Sequence, residues 1–307
     1  MSAAPQPGAA LPRDTFSRFL FEGAGVRGAR VHLAATSRAI VAAHPYPPAL
    51  ARVLRELAAC ASLLAGSLKF DGTLIVQLAG DGPVRLIVVE CSTSLALRAT
   101  AQWDEARVRA LPPDASLHDL AGGPASARLA ITLDPRAEGA MTQGIVALEG
   151  GSVAAMLEHY LGASEQVASR LALAQAGDDV AGVLVQRLPG AAGHDDEAWR
   201  EASAALDAAD MAALGLAATS DAGLTALFPG RDLRVFRPVA PHFACSCTQG
   251  RVEGALRIAG RQEIEAALAE QGRIEVVCEF CGRAYLFAPD EARALFAAAP
   301  GAAPTRH

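Results

Sequence analysis

Thr73-Leu-Ile-Val-Gln-Leu-Ala79, Gly80-Asp-Gly-Pro83 and Val84-Arg-Leu-Ile-Val-Val-Glu-Cys91 follow one another without a break. The two outer stretches are rich in β-branched and apolar residues, and turn formers lie between them. The whole reads as a hairpin. So short a connection makes the strands antiparallel, because a parallel crossover needs about a dozen residues or more. Leu95–Trp103 follows across Ser92-Thr-Ser94 and extends the hairpin into a meander.

Outward from the meander the same texture recurs. Thr15–Glu22 and Ala29–Ala34 are strand-like and joined by Gly23-Ala-Gly25-Val-Arg-Gly28. A helical stretch runs around Ser37–Ala43, and Pro45, Pro47 and Pro48 break the chain after it. Ala49–Leu68 carries Leu50, Val53, Leu54, Leu57 and Leu64 at helical spacing. Ala127–Leu133 and Gly144–Leu148 add two strands, and Ser152 suits the N-cap of a helix through Tyr160. Arg170–Gln175 and Val180–Leu188 read as a closing hairpin. Strands and helices come in blocks rather than βαβ alternation, which predicts an α+β fold with a mainly antiparallel sheet packed by helices.

The chain divides by composition. Residues 1–13 are rich in Ala and Pro and read as a disordered N-terminus. Residues 14–189 form the N-terminal α+β domain. From Pro189 the texture changes: Gly190–Gly193 is small and flexible, Asp195–Leu214 is an Ala-rich helical pattern, and a shorter one lies near Asp221–Phe228. Leu206, Met211 and Leu214 supply only a thin apolar stripe, and short isolated helices are marginal in water. Residues 190–237 therefore read as a helical linker ordered only when docked on something else. Pro238 and Pro241 mark the start of a compact segment over 238–290, and 291–307 reads as a terminal helix and tail.

Composition excludes several classes. The 307 residues carry a net charge of −6, which argues against a generally basic nucleic-acid binder. The longest apolar run, Leu57–Leu68, is shorter than the ~18 residues a membrane helix needs and leads into Lys69. Met1-Ser-Ala-Ala-Pro-Gln-Pro has no basic start and no apolar core, so no secretory signal is read and a cytoplasmic location is expected. Gly23-x-Gly25-x-x-Gly28 matches a dinucleotide fingerprint in form only: it leads into a strand-like segment where that motif opens a helix. No G-x-S-x-G, P-loop or H-E-x-x-H is present. His159, beside Glu158, could serve as a base but reads rather as a surface or half-buried structural histidine, and Cys60 and Cys91 read as small buried hydrophobes.

Four of the six cysteines stand apart: Cys245-Ser-Cys247 and Cys278-Glu-Phe-Cys281, thirty residues between the pairs. Four thiolates suit tetrahedral Zn²⁺. Residues i and i+2 of an extended chain project to one face, and Gly282 permits a tight knuckle after Cys281. Strand-like Arg273–Val277 and Ala284–Phe287 flank the knuckle, and Ile264, Ala267 and Leu268 mark a short helix ending at Gly272. Phe243, Phe280, Tyr285 and Phe287 supply aromatic mass for a very small core, which needs a metal staple. Over 238–290 seven acids outnumber five arginines, unlike a phosphate-binding surface. Each cysteine pair could close into a small-ring disulfide on oxidation, removing two ligands. Zinc binding to such modules is worth about 10–16 kcal/mol and is folding free energy, so its loss should unfold the segment.

Taken with these cysteines, the chain resembles the heat shock protein 33 family, the bacterial redox-regulated chaperones. The resemblance is carried by Arg18-Phe-Leu-Phe-Glu22 with Val26-Arg-Gly28, and by Ser67-Leu-Lys-Phe-Asp-Gly72 with Val76-Gln-Leu-Ala-Gly-Asp-Gly-Pro83. Gly144-Ile-Val-Ala-Leu-Glu-Gly150, Tyr160 and Ser164-Glu-Gln166 also match, and the likeness covers about residues 14–290. It implies an ATP-independent holdase, not an enzyme. It further implies that the reduced form, with one Zn²⁺ on Cys245, Cys247, Cys278 and Cys281, is inactive. Hypochlorous acid, or peroxide with heat, would then form Cys245–Cys247 and Cys278–Cys281 disulfides, expel zinc and disorder the linker. Unfolding client proteins would be bound, the active form would be a homodimer, and clients would pass to ATP-dependent foldases. Residues 195–228 depart from the family's charged linker in being Ala-rich. Two other readings of the residues are an enzyme with a structural zinc clip and a nucleic-acid-binding zinc module.

Overall fold

The computed structural model describes residues 14–123, 125–136, 139–188 and 196–296. The N-terminus 1–13, the Gly190–Gly193 stretch and the tail beyond 296 lie outside the described residues. Two compact units succeed one another along the chain, with the division between Ala244 and Cys245.

The first unit opens with β1 (Thr15–Phe21) and β2 (Val26–Leu33), then α1 (Ala35–Ala42) and α2 (Pro48–Ser67). The meander follows as β3 (Gly72–Ala79), β4 (Val84–Ser92) and β5 (Ala96–Trp103). Two short helices that the sequence reading omits come next, α3 (Glu105–Arg109) and α4 (Leu117–Ala121). After them lie β6 (Arg128–Pro135), β7 (Thr142–Ala147), α5 (Val153–Ala163), β8 (Ser169–Ala176) and β9 (Asp179–Arg187). Ser152 caps α5 as anticipated, accepting a hydrogen bond from the Ala155 amide at 3.2 Å. The linker region supplies α6 (Asp196–Ala208), α7 (Met211–Thr219) and α8 (Asp221–Leu227). Short strands β10 (Leu233–Val235) and β11 (His242–Phe243) end the unit.

The fold is α+β with antiparallel-rich sheets, and there are two in this unit where the sequence suggested one. A five-stranded sheet has the order β10-β1-β2-β9-β8, all antiparallel. A six-stranded sheet has the order β11-β5-β4-β3-β6-β7, with only the β11–β5 pair parallel. Helix α2 packs against β2 and β9 of one sheet and β3, β4 and β5 of the other. That position explains its composition: most of Ala49–Ala65 is buried, and a helix apolar all round needs covering on every side. Among the described residues no helix is long and apolar enough to cross a membrane.

The first hairpin turns earlier than its glycines suggest. The bend spans Glu22–Gly25, and Gly28 lies within β2, opposite Phe19. Gly28 is glycine for space: a Cβ there would sit 2.1 Å from the Phe19 ring. Gly28→Ala is expected to destabilise the first unit by about 1–3 kcal/mol through overpacking, read as a lowered thermal midpoint.

The outer face of the five-stranded sheet is covered by the linker helices. Phe19, Phe21, Val26, Val183 and Val185 form one apolar cluster with Ala198, Ala202, Leu206, Leu214, Leu224 and Phe228. The apolar stripe on these helices mixes alanines with Leu206, Leu214, Leu224, Leu227 and Phe228, and Met211 is exposed instead of contributing to it. The helical pattern read as continuous over Asp195–Leu214 breaks where Asp210 caps α7 by accepting from the Ala213 amide at 2.7 Å. A buried side chain fastens the seam. Arg30 of β2 donates to Ser17 Oγ at 2.7 Å, to the carbonyls of Ala217 at 3.0 Å and Ser220 at 2.6 Å, and to the Asp221 carboxylate. It therefore grips the end of α7 and the start of α8 together.

The second unit contains α9 (Gln249–Ala259), α10 (Arg261–Gln271), the β12 (Ile274–Val277)–β13 (Ala284–Phe287) hairpin and α11 (Pro289–Ala294). Two helices, not one, separate the cysteine pairs. Gly272 ends α10 in the left-handed region at φ 72°, as its position predicts. Val252, Leu256, Ile264, Leu268, Ile274, Tyr285, Phe287 and Ala292 form the core. Phe243 does not join it: this side chain packs against the core of the first unit.

Candidate metal centre

Two loops bring the four cysteines together. Cys245 and Cys247 lie just before α9, whose N-cap Thr248 accepts from the Arg251 amide at 3.3 Å. Cys278 and Cys281 span the turn between β12 and β13. There the Gly282 amide donates to the Cys278 carbonyl at 2.9 Å and the Cys278 amide to the Arg283 carbonyl at 2.9 Å. Gly282 adopts φ 69°, the left-handed conformation the knuckle requires.

The four Sγ atoms lie within 4.8 Å of one another. The Cys245–Cys278 and Cys247–Cys281 pairs stand at 3.6 and 3.4 Å. All six cysteines are unpaired thiols. A tetrahedral site with Zn–S bonds of about 2.3 Å places its sulfurs about 3.8 Å apart, whereas a disulfide needs about 2.05 Å. The cluster thus has the ligand chemistry and the spacing of a tetrathiolate metal site. Backbone amides of Cys247 and Arg283 support the Cys245 and Cys281 sulfurs. Such N–H donors stabilise thiolate charge.

From the sequence, Tyr285 reads only as core mass. Its hydroxyl also donates to Cys247 Sγ at 3.1 Å, and this bond is the first cause drawing the Cys247 thiol down to about 7. Burial pushes Cys245 up and Cys281 up to about 12. Strand register places Tyr285 opposite Val276, on the hairpin's inward face, a placement visible only once the pairing is known.

The other sequence candidates lie elsewhere. Cys60 and Cys91 are fully buried in the first core, and burial raises both thiols, Cys91 to about 12. In native protein stripped of metal, a maleimide is expected to titrate four thiols, rising to six after denaturation; labelling of Cys60 or Cys91 in the native state would contradict this burial. His159 is half-buried with its Nδ1 3.5 Å from Glu149, while neighbouring Glu158 accepts from Arg170 at 2.9 Å. The Gly23–Gly28 run leads into β2, so no helix N-terminus is there to hold a pyrophosphate.

The family model described as Hsp33 protein matches residues 14–288, spanning both units. The chain belongs to the Hsp33 family. A 33 kDa chaperonin of Chromobacterium violaceum is 40% identical to this Hsp33 chain over 294 residues, covering 92% of it and 94% of the relative. One from Shewanella loihica is 38% identical over 294 residues, covering 95% and 99%. The crystal structure of a Thermotoga maritima 33 kDa chaperonin superposes with a TM-score of 0.76 at 18% identity, covering 92% of this chain and 98% of that one. The Hsp33 fold is thus shared at low identity.

Proposed function

We propose that this protein is an ATP-independent chaperone of the holdase type, acting in the cytoplasm and switched by oxidation of its cysteine cluster. The observation that carries the proposal is the four-thiol cluster in a unit with a very small core of its own. The names of the curated relatives, 33 kDa chaperonins, support a chaperone rather than an enzyme.

In the reduced state Cys245, Cys247, Cys278 and Cys281 hold one Zn²⁺. Bound there, zinc supplies a cross-link between the chain before α9 and the β12–β13 turn. Oxidation joins Cys245 to Cys247 and Cys278 to Cys281. Each disulfide yields two electrons to an oxidant such as hypochlorite or peroxide, and each removes two metal ligands. The second unit then loses its staple and unfolds. Residues 190–237 lose order with it, uncovering the outer face of the five-stranded sheet for unfolding clients. The chain running from the end of the linker to the cluster is pinned along the first unit: the Phe236 amide donates to the Arg18 carbonyl at 2.9 Å, the Val239 amide to the Phe16 carbonyl at 2.8 Å and the Ala244 amide to the Leu97 carbonyl at 2.9 Å. Disorder beginning at Cys245 can fray these bonds in sequence. The active form is a homodimer and hands clients to ATP-dependent foldases.

The test is an oxidant titration with zinc release, thiol count and client aggregation followed together. Zinc release and suppression of aggregation are expected to rise with the loss of four thiols. Full holdase activity in the reduced, zinc-loaded protein would overturn the switch.

A further inference from the structure

Away from the cysteine cluster, a cavity of about 330 Å³ opens beside the C-terminal end of α2, against β1, β2 and β9. Its volume falls within the range of small-molecule sites, about 300–1,000 Å³. Leu20, Ala29, Leu184 and Leu188 give it apolar walls, while Arg18, Arg27 and Lys69 bring three cations to it. Three cations at one cavity stand out in a chain of net charge −6.

Arg27 is held in place from behind. Its Nε donates to Gln186 Oε1 at 3.1 Å, and Gln186 Nε2 donates to Ser169 Oγ at 3.2 Å. Ser169 Oγ in turn donates to the Val167 carbonyl at 3.0 Å. Gln186 is only 5% exposed, so this relay is a fixed, buried support. It occupies Arg27 Nε and leaves both terminal nitrogens without a partner among the described residues. Arg18 lies 5.8 Å above the Phe236 ring and near enough to Arg27 to lower its pKa, after burial itself. Among the described residues no carboxylate pairs with Arg18, Arg27 or Lys69. Two guanidinium groups held close without a counter-charge form a receptor for an anion, since their donors match a carboxylate fork.

We propose that this cavity binds a small amphipathic carboxylate, its aliphatic chain against Leu20, Leu184 and Leu188 and its acidic head between Arg18, Arg27 and Lys69. The site is independent of the redox reading, because none of these residues belongs to the cysteine unit.

The test is calorimetric titration of reduced, zinc-loaded full-length protein with decanoate below its micellar range, with 1-decanol and acetate in parallel. Saturable binding of one decanoate per chain is expected, weakened about tenfold or more in Arg27→Met and in Arg18→Met, as loss of a charged hydrogen bond implies. Neither the uncharged alcohol nor the short acid should match it. Arg18 is exposed, so Arg18→Met keeps the test decisive where Arg27→Met disturbs folding. Absence of saturable binding overturns the proposal, as does equal affinity in the Arg18→Met protein. Equal binding of 1-decanol or of acetate overturns it too, by removing the need for the head or for the chain.

Discussion

Cys278→Ser is expected to unfold the second unit and, under the proposed function, to loosen the linker helices α6–α8, while α2 and the two sheets of the first unit stay folded. The substitution changes one atom, so little packing is lost directly. What it removes, under the proposed function, is one zinc ligand of four. Structural zinc contributes about 10–16 kcal/mol to modules of this kind, while a core of eight mostly medium-sized side chains leaves only a few kcal/mol in reserve. Loss of even part of the metal term therefore exceeds what the core can cover. Hydrogen exchange should show fast-exchanging amides over α9, α10 and the β12–β13 hairpin, and the purified variant should carry little zinc. The first unit has its own core around α2 and should keep its main thermal transition. Cys60→Ser is the control. A hydroxyl buried at that position should cost the first unit about 1–3 kcal/mol and leave the zinc content unchanged. A zinc-loaded, protected second unit in Cys278→Ser would refute the ligand assignment.

The second large effect concerns Arg30. Arg30→Met should loosen the linker helices from the sheet without loss of zinc. The guanidinium is 1% exposed and bonds Ser17 Oγ and the carbonyls of Ala217 and Ser220. Removing it strands buried acceptors at about 1–3 kcal/mol each, partly offset because the cation's own desolvation cost disappears. Methionine keeps much of the volume. A net loss of about 2–4 kcal/mol in the docking of α7 and α8 is expected, read as faster amide exchange over 211–227. Asp221 is 66% exposed in the same pair, so Asp221→Asn should cost less than about 1 kcal/mol. Unchanged exchange in Arg30→Met, or equal damage from both variants, would show that Arg30 does not fasten the seam. Under the proposed function, Arg30→Met should also suppress client aggregation without oxidant.

The elements that were legible in the sequence share one property: their partners are near in the chain. The β3–β4–β5 meander is joined by separators of a few turn residues, so antiparallel pairing follows from connection length alone. The same holds for β8–β9 and for the Ser152 cap. The cysteine cluster was legible for a different reason. Four thiols in two tight pairs match the ligand set of a tetrahedral metal site, so residue type and spacing carried the metal reading across thirty residues. Phe243 was misplaced because it stands two residues before Cys245, whereas β11 pairs with β5, far back in the chain. The helix before Ile264 was missed because the large apolar residues of α9 do not share one face: Val252 and Leu256 are buried, whereas Ile258 points to solvent.

By itself, then, the sequence determined an antiparallel-rich α+β fold, a helical segment with little apolar surface of its own, and four thiols of matching chemistry. Tertiary structure alone decided that α2 is enclosed by two sheets and that the linker helices cover the outer face of one of them. It alone decided that Arg30 is a buried fastener, because its acceptors on the linker lie 187 and 190 residues away. It alone turned Arg18, Arg27 and Lys69 into one cation-lined cavity. Turn chemistry and helix periodicity act over a few residues, and residue spacing can mark a metal site. Burial of a charged side chain is set by whichever distant segment folds over it.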